Sequence, residues 1–280
     1  MNYGTYQNLV DMKTALGITD TTDDARLLAA LESVSRWIDN YCQRHFFVIT
    51  ATRTFTAIVK DYLDLEGAEP DLLSITSLKA DEDDDWDYDN TWDTGDYHLL
   101  PFNDFPKRRV KTKAGGSYRF SSQEEGVQIV GQWGYGNGQS ATPYEDSQTT
   151  TAEELDASET GVDVTDATPT GGIDLVAGMT ILVESEQMYI KSVATNTLTV
   201  VRGVNGTTAT THATAKTVYV YRYPQPVVEA CMIQTSRIFR RKDAPFGITG
   251  SAEFGQATFI ARLDPDVRTL LDVYRVIPVG

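Results

Sequence analysis

Asp81, Asp83 and Asp85 come nearest, by type and spacing, to a chemical site in this chain. Alternating carboxylates match the first, third and fifth ligand positions of a calcium-binding loop, where oxygen ligands surround a hard cation. The pattern breaks at the two positions that set the loop's geometry. The sixth requires Gly and is Trp86; the twelfth requires Glu and is Trp92. The run therefore reads as a solvated acidic loop, and no metal or cofactor is expected. Trp86, Tyr88 and Trp92 sit within it, and aromatics are costly to leave in water, so they are expected to pack on a neighbouring body or subunit. Gly134-x-Gly136-x-Gly138 has dinucleotide-like spacing, but no helix opens after it and Pro143 follows, so it reads as a flexible turn. His45, His98 and His212 lack metal-ligand spacing and read as ordinary structural or surface residues. Cys42 and Cys231 fall on apolar helix faces, as buried reduced thiols that lie close together if those helices pack. No Ser-His-Asp or Cys-His grouping follows from local spacing, so the chain is read as a non-enzyme. A hydrolase would need two carboxylates converging in a pocket.

Basic residues form two groups. Lys107, Arg108, Arg109, Lys111, Lys113 and Arg119 fall within one short stretch, and Arg237, Arg240, Arg241 and Lys242 end a helix. They suit phosphates or an acidic partner, or else are simply solvated. The net charge is −16 over 280 residues, but it is unevenly spread. Residues 81–96 hold nine acids (Asp81, Glu82, Asp83, Asp84, Asp85, Asp87, Asp89, Asp93 and Asp96) and no base; residues 138–221 hold eleven acids and three bases; the rest is near neutral. Such a balance disfavours passive binding of nucleic acid through phosphate neutralisation. In an oligomer, the bases of one copy are suited to meet the 81–96 acids of the next.

Helical periodicity appears at residues 5–16, closed by Gly17, and most strongly at 22–43, where Leu27, Leu28, Leu31, Val34, Ile38 and Cys42 form a stripe. From Phe46 to Trp133, short alternating segments with turn residues between them predict a small antiparallel sheet. Residues 138–160 are polar and read as a linker; 161–221 reads as an independent all-β unit, a small barrel or sandwich. Helix returns after Pro226 and again after Asp264. The expected fold is thus α+β: a discontinuous body, 1–137 and 222–280, interrupted by a linker and a β domain. No apolar run is long enough to span a membrane, the N-terminus lacks a signal peptide's basic start and apolar stretch, and two cysteines make a reducing origin the default.

Several segments, in order, resemble the head–tail connector (adaptor) family of long-tailed double-stranded-DNA bacteriophages: the Leu9–Leu16 helix, the Leu27–Cys42 helix ending in Arg44-His45-Phe46, "DLLSITSLKAD", "YHLLPFNDFP", "VQIVGQWGYG", the helix after Pro226, "APFGITG" and "LDPDVRTLLDVY". The resemblance covers residues 5–137 and 222–275. The insertion is similar to small β modules of phage virion proteins. The resemblance implies a structural virion protein of the neck, assembled in the host cytoplasm as a homo-oligomeric ring, typically of twelve subunits. The ring would sit beneath the portal protein, extend the DNA channel with only transient, non-specific DNA contact, and offer a platform to a downstream neck or tail-completion protein. It implies no membrane and no cofactor. It assigns portal docking to the C-terminal segment, with candidates Leu270, Leu271, Val273, Tyr274, Ile277 and Val279. The acidic candidates are Asp81, Glu82, Asp83, Asp84, Asp85, Asp87 and Asp89, facing the lumen, a neighbouring subunit or the exterior. The basic interface candidates are Lys107, Arg108, Arg109, Lys111, Arg237, Arg240, Arg241 and Lys242. The alternative is a virion surface protein whose β domain binds host carbohydrate or another receptor.

Overall fold

A computed structural model describes residues 3–65, 71–81, 83, 85–241, 248–249, 258–259 and 263–276. Four helices among the described residues carry apolar stripes that meet in one core. In α1 (Leu9–Leu16), the Asn8 side chain accepts the Asp11 N–H at the start, and Gly17 ends the helix in the left-handed region at φ 70°. α2 (Asp24–Cys42) buries Leu27, Leu31, Val34, Ser35, Ile38 and Cys42. Five of these are the expected stripe residues, while Leu28 is only half-buried. α3 (Gln225–Arg240) begins with Pro226 in its first turn, and α4 (Pro265–Asp272) is capped by the Asp264 carboxylate. Their inward faces join Tyr6, Phe46 and Phe47. α2 and α3 run antiparallel: Ser35 meets Cys231 at 3.7 Å, and Arg26 lies over the Phe239 ring.

The expected single sheet is two. One has the order β1-β7-β3-β4, from Ile49–Phe55, Val127–Trp133, Leu72–Ala80 and Asn90–Trp92. The other has the order β2-β6-β5, from Tyr62–Asp64, Arg109–Thr112 and Tyr97–Leu100. They share a core of their own: Leu63, Leu78, Trp92, Val110, Phe120, Ile129 and Trp133. β7 shows why, since its odd-numbered residues from Val127 to Trp133 are buried and the alternate ones are half-exposed, the period of two that a one-sided strand requires. The body is therefore a four-helix cluster beside a two-sheet unit, and the helical part is smaller than expected.

The inserted unit is a six-stranded antiparallel sheet, β8-β13-β10-β11-β12-β9: Tyr144–Thr150, Thr217–Tyr221, Thr180–Val183, Glu186–Ala194, Thr197–Val201 and Gly161–Asp163. Its two edges meet where Thr151 bridges Val164 and the Thr165 N–H donates to the Thr150 carbonyl, closing a small barrel around Ile181, Met188, Leu198 and Val218. The reading of 138–160 as a linker is corrected here: Tyr144–Thr150 is a ladder strand paired with β13.

The barrel is fixed to the body. Asn205 is 1% exposed; its side chain accepts the Tyr3 N–H (2.7 Å) and donates to the Tyr3 carbonyl (2.8 Å) and to Gln187 Oε1 (2.8 Å). Gln187 in turn donates to the Val48 carbonyl at 3.0 Å, and the Thr50 N–H donates to the Asn205 carbonyl at 2.9 Å. The Leu9 N–H bonds the Ala177 carbonyl, Thr5 bonds the Gly178 carbonyl, and the Tyr189 hydroxyl donates to Glu32 at 2.8 Å. Gly206 makes the approach possible: at φ 80°, a Cβ there would sit 2.0 Å from the Thr50 carbonyl oxygen. A second short hairpin, Ile248–Thr249 with Thr258–Phe259, lies between α3 and α4.

Leu271 is fully buried where α4 meets α2 and α3. Leu271→Ala should therefore cost about 2–5 kcal/mol of unfolding free energy, read as a lower denaturant midpoint with an unchanged slope.

Candidate interaction surfaces

The acidic loop joins β3 to β4. Asp81 is buried, and both its carboxylate oxygens are taken by backbone amides: Oδ1 accepts from Asp83 (3.2 Å) and Oδ2 from Trp86 (2.9 Å). Asp85 accepts the Asp87 N–H in the same manner, at 2.9 Å. Oxygens of Asp81, Asp83 and Asp85 lie within 4.8 Å of one another. The negative charge of Asp85, then partial desolvation and Asp81, raises the Asp83 carboxyl above its ordinary value. The arrangement is a turn stitched by carboxylate-to-amide bonds, with Asp83, Asp85, Asp87 and Asp89 facing water. Glu82 and Asp84 lie outside the described residues. Of the three aromatics expected to pack on a neighbouring body or subunit, two are engaged within the chain. Trp92 is 4% exposed and stacks on Phe120 and Tyr118 within its own chain, at 4.7 and 5.2 Å. The Tyr88 hydroxyl donates to the Glu125 carbonyl. Trp86 stands 61% exposed, in the left-handed region at φ 67°.

Most of the first basic group is engaged within the chain. The Lys107 ammonium, buried, donates to the carbonyls of Pro101, Asp104 and Phe102 (2.7, 2.9 and 3.0 Å), and desolvation lowers its pKa. Arg109 pairs with Asp64 and lies over Tyr62; Arg119 pairs with Asp61 at 3.3 Å. Arg108 reaches the buried Asp71 at 3.7 Å, and Arg44 reaches the same carboxylate at 3.3 Å. These corrections leave Lys111 exposed with no ion pair among the described residues. In the second group, Arg237 pairs with Asp264 at 3.3 Å while Arg240 and Arg241 are exposed. Lys242 lies outside the described residues.

The C-terminal candidates divide similarly. Leu271 is buried, Leu270 is half-buried against the helical core, and Tyr274 meets Phe46 and Tyr135 edge-on at 5.5 Å, so none of these three is a free docking group. The chain beyond α4 is tied back by the Val276 N–H to the Cys42 carbonyl. Val273 is 79% exposed. Ile277 and Val279 lie outside the described residues.

The remaining candidates for chemistry are structural. Burial pushes the Cys42 thiol up to about 12 and the Cys231 thiol to about 11, so neither forms a thiolate nucleophile near neutrality. They are not neighbours: Cys231 sits at Ser35, and Cys42, about two turns further along α2, faces the Leu271 carbonyl. Gly134 packs its backbone against Phe47 and serves the turn after β7. The ring of His45 meets the Trp133 carbonyl. His98 lies edge-on to Phe102. His212 is buried, with its ring nitrogens 2.8 Å from Glu184 and Glu186. No local spacing in the sequence marks that constellation. A cleft of about 600 Å³ between α1, α2 and the barrel contains two carboxylates, Asp24 and Glu32. Both are occupied, by Lys13 at 2.7 Å and by the Tyr189 hydroxyl. No helix among the described residues is long and apolar enough to cross a membrane.

Residues 6–68 match the family model described as phage gp6-like head–tail connector protein, in agreement with the family resemblance in that segment. No curated protein matches. Three chains of solved structures match. One, from a structure titled "Neck of empty GTA particle computed with C6 symmetry", is 10% identical with a TM-score of 0.41, covering 97% of this chain and 90% of that one.

The Arg44–Asp71 pair, 4% and 1% exposed, gives a test of the body's electrostatics. Arg44→Met should destabilise the protein by about 3–5 kcal/mol at neutral pH by stranding a buried carboxylate. Desolvation raises the Asp71 carboxyl in the folded chain, against the pull of Arg44 and Arg108. The cost of its charge is therefore present above that raised value and is relieved as pH falls through it. The deficit of the variant relative to the parent should accordingly shrink on acidification, as measured by denaturant midpoints across pH.

Proposed function

We propose that this chain is a structural head–tail connector of a tailed double-stranded-DNA phage, forming a ring at the head–tail junction. The observation that carries the reading is the connector-family match over residues 6–68, which spans α1, α2, β1 and β2, the helical pair and the strands that follow it. In this reading the subunits join by a repeated head-to-tail contact that closes into a ring, typically of twelve, beneath the portal protein. The ring continues the DNA channel and presents its lower face to a downstream neck or tail-completion protein. Non-enzymatic function is supported by the match to a head–tail connector family.

Assignments within the ring follow from what remains unsatisfied. Asp83, Asp85, Asp87 and Asp89, with Trp86 among them, form a charged face with one large apolar side chain. It is suited to the exposed Lys111, Arg240 and Arg241 of a neighbouring copy by charge complementarity. Turned to the lumen instead, the same acids would repel DNA phosphates and keep the passing genome from adhering. For the portal contact, the exposed Val273 is the available candidate among the described residues, since Leu270, Leu271 and Tyr274 pack inside. The barrel is held to the body by buried hydrogen bonds, which supports a fixed part of the ring wall over a loosely tethered receptor-binding module.

Negative-stain images of the purified protein, alone and mixed with its portal, test the reading: annular particles seated on the portal are expected, and their absence from the mixture would overturn it. Val273→Asp should weaken portal binding at least tenfold in co-sedimentation while leaving the thermal midpoint unchanged, because the side chain is in water in the free subunit.

A further inference from the structure

The barrel contains a buried ionic hub. The Glu186 side chain is fully buried and receives five donors. Arg202 gives two (2.6 and 2.8 Å), the Gly203 and Thr210 N–H groups give one each (3.0 and 3.0 Å), and His212 Nε2 lies at 2.8 Å. Arg202 spends its other donors on the carbonyls of Asp156, Glu159 and Thr210. The other ring nitrogen of His212 meets Glu184, which pairs with Lys216 at 2.6 Å. A ring carrying both protons donates to both carboxylates. The charged and titratable groups these contacts set around Glu186 are Arg202, His212, and behind it Glu184 and Lys216, with Asp156 on the far side of Arg202.

The placement of two of those donors matters most. Gly203 and Thr210 flank the turn that presents Asn205 to the body, and the residue after Glu186 is Gln187, the other half of that contact. The turn has few further ties to the barrel: Val204 N–H to the Gln187 carbonyl, and Gln187 N–H to the Thr207 hydroxyl. The carboxylate therefore clamps both ends of the loop whose tip grips Tyr3 and Thr50, more than 150 residues away in sequence.

We infer that Glu186 is a positioning residue for the Asn205 clasp, so that the barrel grips the N-terminal segment firmly only while this carboxylate is ionised. Neutralising it weakens four charge-assisted bonds at once, two from the Arg202 fork and one from each end of the loop, without touching the clasp itself. The direction of its titration agrees. Burial alone would raise the Glu186 carboxyl, but donation from Arg202, the Thr210 N–H and His212 outweighs it and holds the group below its ordinary value. The stabilisation is therefore present above the unfolded carboxylate's pKa and is lost as pH falls through the depressed folded value. The inference is independent of what the ring docks to.

Amide hydrogen exchange on the full chain tests it, read as protection factors so that the intrinsic pH dependence cancels. Glu186→Gln should lower protection of the Thr50 and Val204 amides at least tenfold at neutral pH, with Ile129 and Val130 in β7 unchanged. Asn205→Ala should give the same loss at Thr50 while sparing the hub. In the parent protein, acidification should release Thr50 before Ile129. Protection at Thr50 within twofold of the parent in both variants would overturn the inference, as would equal loss at Thr50 and Ile129. Should Glu186→Gln fail to fold, the acidification series and Asn205→Ala decide alone, and simultaneous release of the two amides on acidification overturns it.

Discussion

Asn205 ties the first described residue of the chain to a turn two hundred positions later, and with the Gln187, Tyr189 and Ala177 bonds it sets the barrel against the helices and sheets. A buried amide left unpaired is expensive, so a turn carrying one is stable in this place only against a backbone that offers a donor and an acceptor side by side. Tyr3 offers both. The ring of Tyr3 then stacks on Tyr189 at 5.3 Å, and a further small core forms where Val48, Leu73 and Tyr221 meet Tyr144 and Tyr223. What reads in sequence as an interruption is thus part of the wall against which α1, α2 and β1 pack. It follows that removing residues 144–221 would expose the barrel-facing side of the very segment that matches the connector family.

The helices were legible because their burial is written in hydropathy: α2 exposes one face and buries Leu, Val and Ile on the other. The barrel strands from 161 onward were legible for the same reason at period two. Tyr144–Thr150 was not, and its geometry explains why. The strand alternates in burial, but the side chains it turns inward are Ser147 and Thr149. Both are buried through hydroxyl bonds, Ser147 to the Val218 carbonyl at 2.6 Å and Thr149 to the Thr165 hydroxyl at 2.9 Å. A strand that satisfies its inner face with short polar groups carries no apolar signal, so its sequence reads as a linker. The division of the other strands into two sheets was hidden for a different reason: alternation reports which face is buried, and pairing partners are set by tertiary contact.

Charge was the least legible property at the level of single residues. Local counting groups the bases near 107–119 as one patch, whereas antiparallel pairing of β2 with β6 sets Asp64 directly opposite Arg109. Cross-strand neighbours of this kind are distant in sequence and invisible to a window. His212 is the extreme case, since its two acids come from the β10–β11 hairpin, and nothing near position 212 announces them. The acidic run, by contrast, was legible, because its carboxylates bond backbone amides only a few positions away, as Asp81 does with Asp83 and Trp86 and Asp85 with Asp87.

That run also answers a problem that the fold creates. β4 is three residues long, pairs with β3 on one side, and forms an edge of the four-stranded sheet. An open edge invites strand addition from another molecule, and proteins commonly blunt it with charge and brevity. Here Asp81 to Asp89 precede the strand and Asp93 and Asp96 follow it. Like charges on this edge discourage edge-to-edge pairing between copies of the chain. The acids thus have a physical role in the free subunit, whichever way they face in an assembly. Trp86, whose N–H donates to the Asp81 carboxylate in the same loop, is 61% exposed among those charges. An exposed aromatic surrounded by like charges is a poor target for indiscriminate apolar contact, because an incoming surface must also match the charge.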